Sequence, residues 1–288
     1  MSRPAHFSPS AKPIVMFIHA FLDGAAAWND VVDVLRSDMD ARAVDLAGMG
    51  ARAGETGPFT LERFALDVGL ALDSIGQPVV LVGHSMGAQV AELVAARQPS
   101  RVRGLVLLTP VALAGTPLPE EVQSSFRALG GQPAAQRELR QRLSVSLSAN
   151  GLERLGALGD RPAPAAVPAF FDAWRQGHPD GAHPTRYPGP VLIVSGEGDS
   201  FVDAAMIASA IAPRFEKAAR TTIPQAGHWP HVEQPALLAR VIGDLCGRWT
   251  RLRRAPSRSR AGKRRSPTGR RRRSPTPSRP TWSSTRPC

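Results

Sequence analysis

The sequence predicts an α/β fold, a mainly parallel central sheet with helices on both faces, and three observations carry that expectation. Short apolar runs without polar alternation, such as Val-Val-Leu-Val at 79–82, read as strands buried on both sides. Segments with apolar residues at helical spacing alternate with them, which is the pattern of strands joined by crossover helices. With 288 residues, 42% of them hydrophobic, the chain is long enough to bury one large core.

The elements follow in order. Residues 14–18 form a strand, 25–35 a helix with Trp28, Val31, Val32 and Leu35 on one face, and 41–44 a second strand running into Asp45. A helix over 61–75, entered at Thr60, carries Leu61, Phe64, Ala65, Val68 and Leu72 in a stripe. Strand 79–82 is followed by a helix that starts near Met86 and ends before Pro99. Strand 104–108 leads into a stretch, 111–189, that is rich in Ala, Pro, Gly, Arg and Gln and holds no convincing buried strand. Its helical patches lie near 120–129, 134–147 and 167–176, and an insertion of this length in a compact domain reads as a helical lid. The core resumes at 190–250 with strand 191–195, helix 204–211, strand 220–223 and a closing helix at 234–249, completing the part begun by 1–110.

Charge divides the chain unequally. The formal net charge of +12 is −2 over the first 250 residues and +14 over residues 251–288, which contain 13 Arg, one Lys and no acid. The body therefore offers no basic face for nucleic acid, and non-specific contact of that kind is expected only through the tail. That tail, made of Arg, Pro, Ser and Thr, is expected to be disordered. A charge tether, a tail without selected function, and a shifted reading frame in a GC-rich gene all yield this composition. Two cysteines make a disulfide framework improbable, and residues 1–12 lack the apolar stretch of a signal peptide, so the expected setting is cytoplasmic. No run has the length of a membrane span.

The chemistry concentrates in Gly83-His84-Ser85-Met86-Gly87, between a strand and a helix. A turn this sharp strains the backbone of its apex residue and is tolerated only where the residues two positions away lack side chains. A serine so exposed needs a base and an acid to orient that base. Two loops after later strands supply candidates: Gly196-Glu197-Gly198-Asp199 and Gly227-His228-Trp229. Asp199 is the preferred carboxylate. Glu197 shares its turn, and Asp203 reads more simply as the cap of the next helix. His19 reads as a structural hydrogen-bonding group, His84 as a filler of the elbow, and His231 has no motif around it. His178 and His183 lack partners at ligand spacing, so neither a metal nor a cofactor is expected.

With these motifs in place the chain resembles the α/β-hydrolases of the lid-bearing esterase, dehalogenase, carbon–carbon hydrolase and non-haem haloperoxidase group. Ile18-His19-Ala20-Phe21, Asp45-Leu46-Ala47-Gly48-Met49-Gly50, the elbow and Gly227-His228 occur in the family's order across about residues 13–249. The resemblance implies Ser85 as nucleophile, His228 as general base and then acid, and Asp199 as the orienting carboxylate. It also implies an oxyanion hole from the backbone N–H groups of Met86 and Phe21, although Ala20 stands where the family usually has Gly. Trp229, Phe170, Phe171 and Trp174 are the expected apolar pocket. Serine at the elbow excludes dehalogenation through an aspartate nucleophile. The implied activity is hydrolysis of a small apolar ester, lactone or thioester through an acyl-enzyme. Carbon–carbon cleavage of vinylogous diketones and perhydrolysis share the same triad, and a non-catalytic binding protein on this fold is the alternative from another class.

Overall fold

A computed structural model of the chain describes residues 12–252. Six strands form one sheet: β1 (Ile14–Ile18), β2 (Asp40–Val44), β3 (Val79–His84), β4 (Val102–Leu108), β5 (Val191–Gly196) and β6 (Ala219–Ile223). Every neighbouring pair is parallel, in the order β2-β1-β3-β4-β5-β6. The apolar runs explain the layers. Side chains alternate across a strand, so Met16, Leu81, Leu105 and Ile193 enter one apolar layer while Phe17, Val80, Val106 and Leu192 enter the other. Helices α2 (Leu61–Asp73) and α3 (Met86–Arg97) cover the first face; α1 (Asn29–Leu35) and the long terminal helix cover the second.

Between β4 and β5 come α4 (Glu120–Arg127), α5 (Pro133–Arg142), α6 (Ala149–Gly159) and α7 (Val167–Gln176). Here the structure departs from the expected pattern. The helix expected over 134–147 stops at Arg142, because residues 143–146 turn to meet another loop: Leu143 O accepts the His228 amide at 2.8 Å, and Glu233 Oε2 accepts the Val145 and Ser146 amides at 2.7 and 2.9 Å. Ser148 then caps α6, its hydroxyl accepting from the Gly151 amide at 3.1 Å. The insert is stitched to the core by buried and half-buried polar contacts. Gln89 on α3 donates to the carbonyls of Ala112 and Trp174 at 2.7 and 3.0 Å, and Arg154 pairs with Asp30 at 2.6 Å.

Three other boundaries shift. Residues 25–28 are a 3-10 turn ahead of α1, and the helix expected over 204–211 is α8 (Ala204–Met206) continued by a π-helical turn, Ile207–Ile211. The closing helix expected over 234–249 is α10 (Pro235–Leu252), and a separate short helix, α9 (Pro230–Glu233), precedes it; Pro235, which has no backbone donor, stands at the start of α10. No helix among the described residues is long and apolar enough to cross a membrane. The basic tail beyond Leu252, with the expectations attached to it, lies outside the described residues.

Candidate active site

The elbow is a matter of close backbone approach. Ser85 has φ +52° and ψ −115°, a conformation side-chain-bearing residues rarely adopt. A Cβ on Gly83 would lie 2.2 Å from Gly87 O, and one on Gly87 would lie 2.5 Å from both Ile18 O and His19 O. The two glycines therefore let α3 start directly against the end of β1, which brings the Ser85–Met86 turn beside the loop that carries Phe21.

Three side chains from three strand ends converge there. Asp199, after β5, receives His228 Nδ1 at 2.8 Å on one oxygen; its other oxygen accepts the amides of Phe201 and Val202 at 2.9 and 3.0 Å. A carboxylate only accepts, so the proton of the neutral imidazole belongs on Nδ1 and Nε2 is left as an acceptor. That Nε2 lies 3.1 Å from Ser85 Oγ, whose hydroxyl donates to it. Burial would raise the Asp199 carboxyl, but the charge and hydrogen bond of His228, with the two amides, outweigh it and hold the group below its ordinary range. Glu197 instead accepts the Gln225 amide at the surface, and Asp203 caps α8 through the Met206 amide at 2.7 Å.

The supporting groups were less visible in the sequence. The His228 carbonyl accepts from His84 Nε2 at 2.7 Å and from the Thr109 hydroxyl at 3.1 Å. Glu233, buried, accepts the amides of Gly227 and Trp229 and also those of Val145 and Ser146, so one carboxylate folds the histidine loop and ties it to the insert. Its signal was an acid five residues after the histidine, just before Pro235. His19 accepts the Leu46 amide on Nε2 at 2.9 Å and donates from Nδ1 to Ala20 O at 2.8 Å, which shapes the Phe21 loop. Burial lowers its pKa and keeps the ring neutral for both bonds. Among the described residues no acceptor engages the backbone N–H of either Phe21 or Met86; Met86 is fully buried, where an amide left open is uncommon.

Ser85 and His228 open onto a cavity of about 40 Å³ lined also by Phe21, Phe126, Leu129, Leu139, Trp174, Phe201 and Trp229. Trp229 and Trp174 thus face it. Phe170 and Phe171 do not, which corrects the expected pocket: Phe170 packs on Phe59 with ring centres 4.7 Å apart, and Phe171 stacks behind Phe126 at 5.4 Å. Each is fully buried, and the demand for core packing accounts for both.

One group among the described residues has metal-ligand chemistry, Asp23, His84 and His231, with ligand atoms within 4.8 Å of one another. The separation of His84 Nδ1 and Asp23 Oδ2 is 3.9 Å, wider than the roughly 3.3 Å between ligand atoms of a tetrahedral zinc site. Asp23 is moreover committed, accepting Trp229 Nε1 at 3.1 Å and lying 3.5 Å from Arg140 Nη2. The cluster fits a packed histidine pair better than a metal ligand set.

A family model described as "Alpha/beta hydrolase family" matches residues 15–241. Lipase LipV of Mycobacterium tuberculosis is 36% identical over 120 residues, 41% of this chain and 45% of that protein, so the match spans less than half of that relative. The sn-1-specific diacylglycerol lipase ABHD11 of Mus musculus is 26% identical over 242 residues, 77% of each chain. Among solved structures, a thermophilic esterase from Thermogutta terrifontis has a TM-score of 0.67 at 23% identity, covering 83% of this chain and 91% of its own, a likeness of fold.

Proposed function

The chain belongs to the alpha/beta hydrolase family and is a hydrolase, and on that footing we propose that it is a serine carboxylesterase acting on a small apolar ester, lactone or thioester. The observation that carries this reading is the unbroken hydrogen-bonded series from Asp199 through His228 to Ser85 Oγ, opening onto a mainly apolar cavity. His228 takes the serine proton as Oγ attacks the acyl carbon, and the imidazolium so formed is stabilised by Asp199. The same proton passes to the leaving alcohol. The open amides of Met86 and Phe21 receive the oxygen that becomes negative in the tetrahedral intermediate, aided by the positive start of α3. Water, activated by His228 in turn, then releases the acid. The segment 111–189 acts as the lid: its helices α4, α5 and α7 contribute Phe126, Leu139 and Trp174 to the cavity, and a roof of apolar side chains keeps bulk water from the acyl-enzyme.

The test is hydrolysis of p-nitrophenyl acetate and butyrate by the native protein and by Ser85→Ala. The variant is expected to lose at least about 1000-fold in kcat, in line with removal of a triad nucleophile. Equal rates from the two proteins would sink the proposal.

A further inference from the structure

The cavity over Ser85 shares three of its walls with a second, larger one. Phe126, Leu129 and Leu139 line the 40 Å³ cavity on one side and, on the other, a groove of about 310 Å³ between α4 and α5. The remaining lining of the groove sorts by depth. Val122 is half-buried, whereas Glu121, Ser125, Ala135, Glu138 and Arg142 are exposed around the mouth. A channel with an apolar floor and a charged rim suits an aliphatic chain that enters from water. A charged or strongly polar ligand would find no buried donor or acceptor among the groove's lining residues to repay its desolvation.

We propose that the α4–α5 groove is a subsite for a medium-length straight acyl chain, and that Leu139, with Phe126 and Leu129, is the partition that limits how far such a chain extends from Ser85. This rests on the esterase reading and names the substrate class of that same site. Leu139 is the movable part of the partition. Phe126 and Leu129 are buried, Phe126 being stacked on Phe171 and edge-to-face with Trp174, whereas Leu139 is only half-buried. With the partition shut, the site accommodates a short acyl group. With Leu139 turned or trimmed, the two spaces join, and methylenes beyond the fourth carbon pass into the groove.

The experiment compares p-nitrophenyl butyrate and octanoate on the native protein, Leu139→Ala, and Leu139→Ala with Ala135→Trp. A buried methylene is worth about fourfold in binding, so the octanoate-to-butyrate ratio of kcat/KM in Leu139→Ala is expected to rise at least about tenfold. The added tryptophan at exposed position 135 fills the groove and should bring the ratio back to within about twofold of the native one. A ratio unmoved in folded Leu139→Ala, or a gain that survives Ala135→Trp, overturns the proposal. Binding of sodium decanoate, followed by tryptophan fluorescence, reads the groove without turnover. It should tighten at least about tenfold in Leu139→Ala and weaken at least about fivefold when Ala135→Trp is made in the otherwise native chain. Decanoate binding indifferent to Ala135→Trp counts against the groove even if Leu139→Ala does not fold. If no ester is hydrolysed while decanoate follows this pattern, the esterase reading fails and the groove stands.

Discussion

His231 is expected to make the fold acid-sensitive well above the range in which carboxylates titrate. Its ring is fully buried and stacked on Trp28 with centres 4.3 Å apart, and neither ring nitrogen has a hydrogen-bond partner among the described residues. Burial first, then the charges of His228 and Arg154, push its pKa from the ordinary 6.5 down to about 3. The folded protein therefore keeps this ring neutral while the unfolded chain takes up a proton below pH 6.5, so the stability it contributes is present above that pH and is lost as pH falls towards 3. Each pH unit in the window costs about 1.4 kcal/mol, which amounts to roughly 2 kcal/mol between pH 7 and pH 5. In His231→Phe the ring can still stack on Trp28, and no proton is taken up at this position in either state. Urea unfolding of both proteins at pH 7, 6 and 5 is the assay. The drop in unfolding free energy from pH 7 to 5 should be smaller in the variant by about 2 kcal/mol, and comparison of the two cancels the titrating groups that His231 does not touch. His84, whose ring centre lies 4.6 Å from that of His231, is kept neutral first by its own burial, which the substitution leaves in place. Equal drops in both proteins would refute the argument that this ring is kept neutral by burial.

The other expectations concern the site. Asp199→Asn should lower kcat by about 10⁴-fold with little change in KM, because an amide facing Nδ1 no longer holds the imidazole in the tautomer that leaves Nε2 free; a loss below tenfold would remove Asp199 from the mechanism. Gly87→Ala places a methyl 2.5 Å from two carbonyl oxygens of the β1 end, an overpacking that costs about 1–3 kcal/mol, so the melting temperature should fall by several degrees. An unchanged melting temperature would show that α3 can retreat from β1. Glu233→Gln replaces a carboxylate that accepts four amides with a group offering one acceptor. It should cost about 1–3 kcal/mol and lower kcat through the displaced histidine loop, and a variant with native melting and native kcat would show that the loop folds without it.

How legible the fold was depended on whether a segment's partners are its chain neighbours. Strands β1, β3 and β5 announce themselves because each is a nearly unbroken apolar run, a composition needed only where both faces are covered. Helix α2 was bounded at its start by Thr60, whose hydroxyl does accept the Arg63 amide at 3.2 Å. Helix α6 escaped notice because Gly151, Gly156 and Gly159 interrupt its apolar stripe and read as loop. Their reason lies in other segments: a Cβ on Gly159 would lie 2.1 Å from Gln136 Oε1 of α5. The premature end of α5 has the same kind of cause, since residues 143–146 satisfy the backbone of the loop at 227–228 and the Glu233 carboxylate in place of a further helical turn.

The site divides along the same line. Ser85, Asp199 and His228 could be named because each follows a strand and sits in a turn whose glycines are themselves unusual, and the structure brings those three into hydrogen-bond contact. The cavity residues could be named only in part, Trp229 and Trp174 among them, because several lie on amphipathic helices where a pocket-facing stripe and a core-facing stripe are written alike. Phe170, Phe171 and Trp174 shared one such stripe, and only Trp174 reaches the cavity. A distinguishing mark was nevertheless present on α5 and the turn after it. Positions 136, 139, 140 and 143 have the spacing of a single helix face, yet Gln136 and Arg140 alternate there with Leu139 and Leu143, and all four line the cavity. A helix packed into an ordinary core has no use for an arginine and a glutamine on its buried face, since each must find partners away from water. Here they find them in the Leu22 carbonyl at 2.7 Å, beside Asp23, and in the carbonyls of Leu129 and Gly159 at 2.9 and 3.1 Å. Polar residues embedded in an apolar stripe thus mark the helix that roofs the serine, a signal that aromatic content alone does not carry.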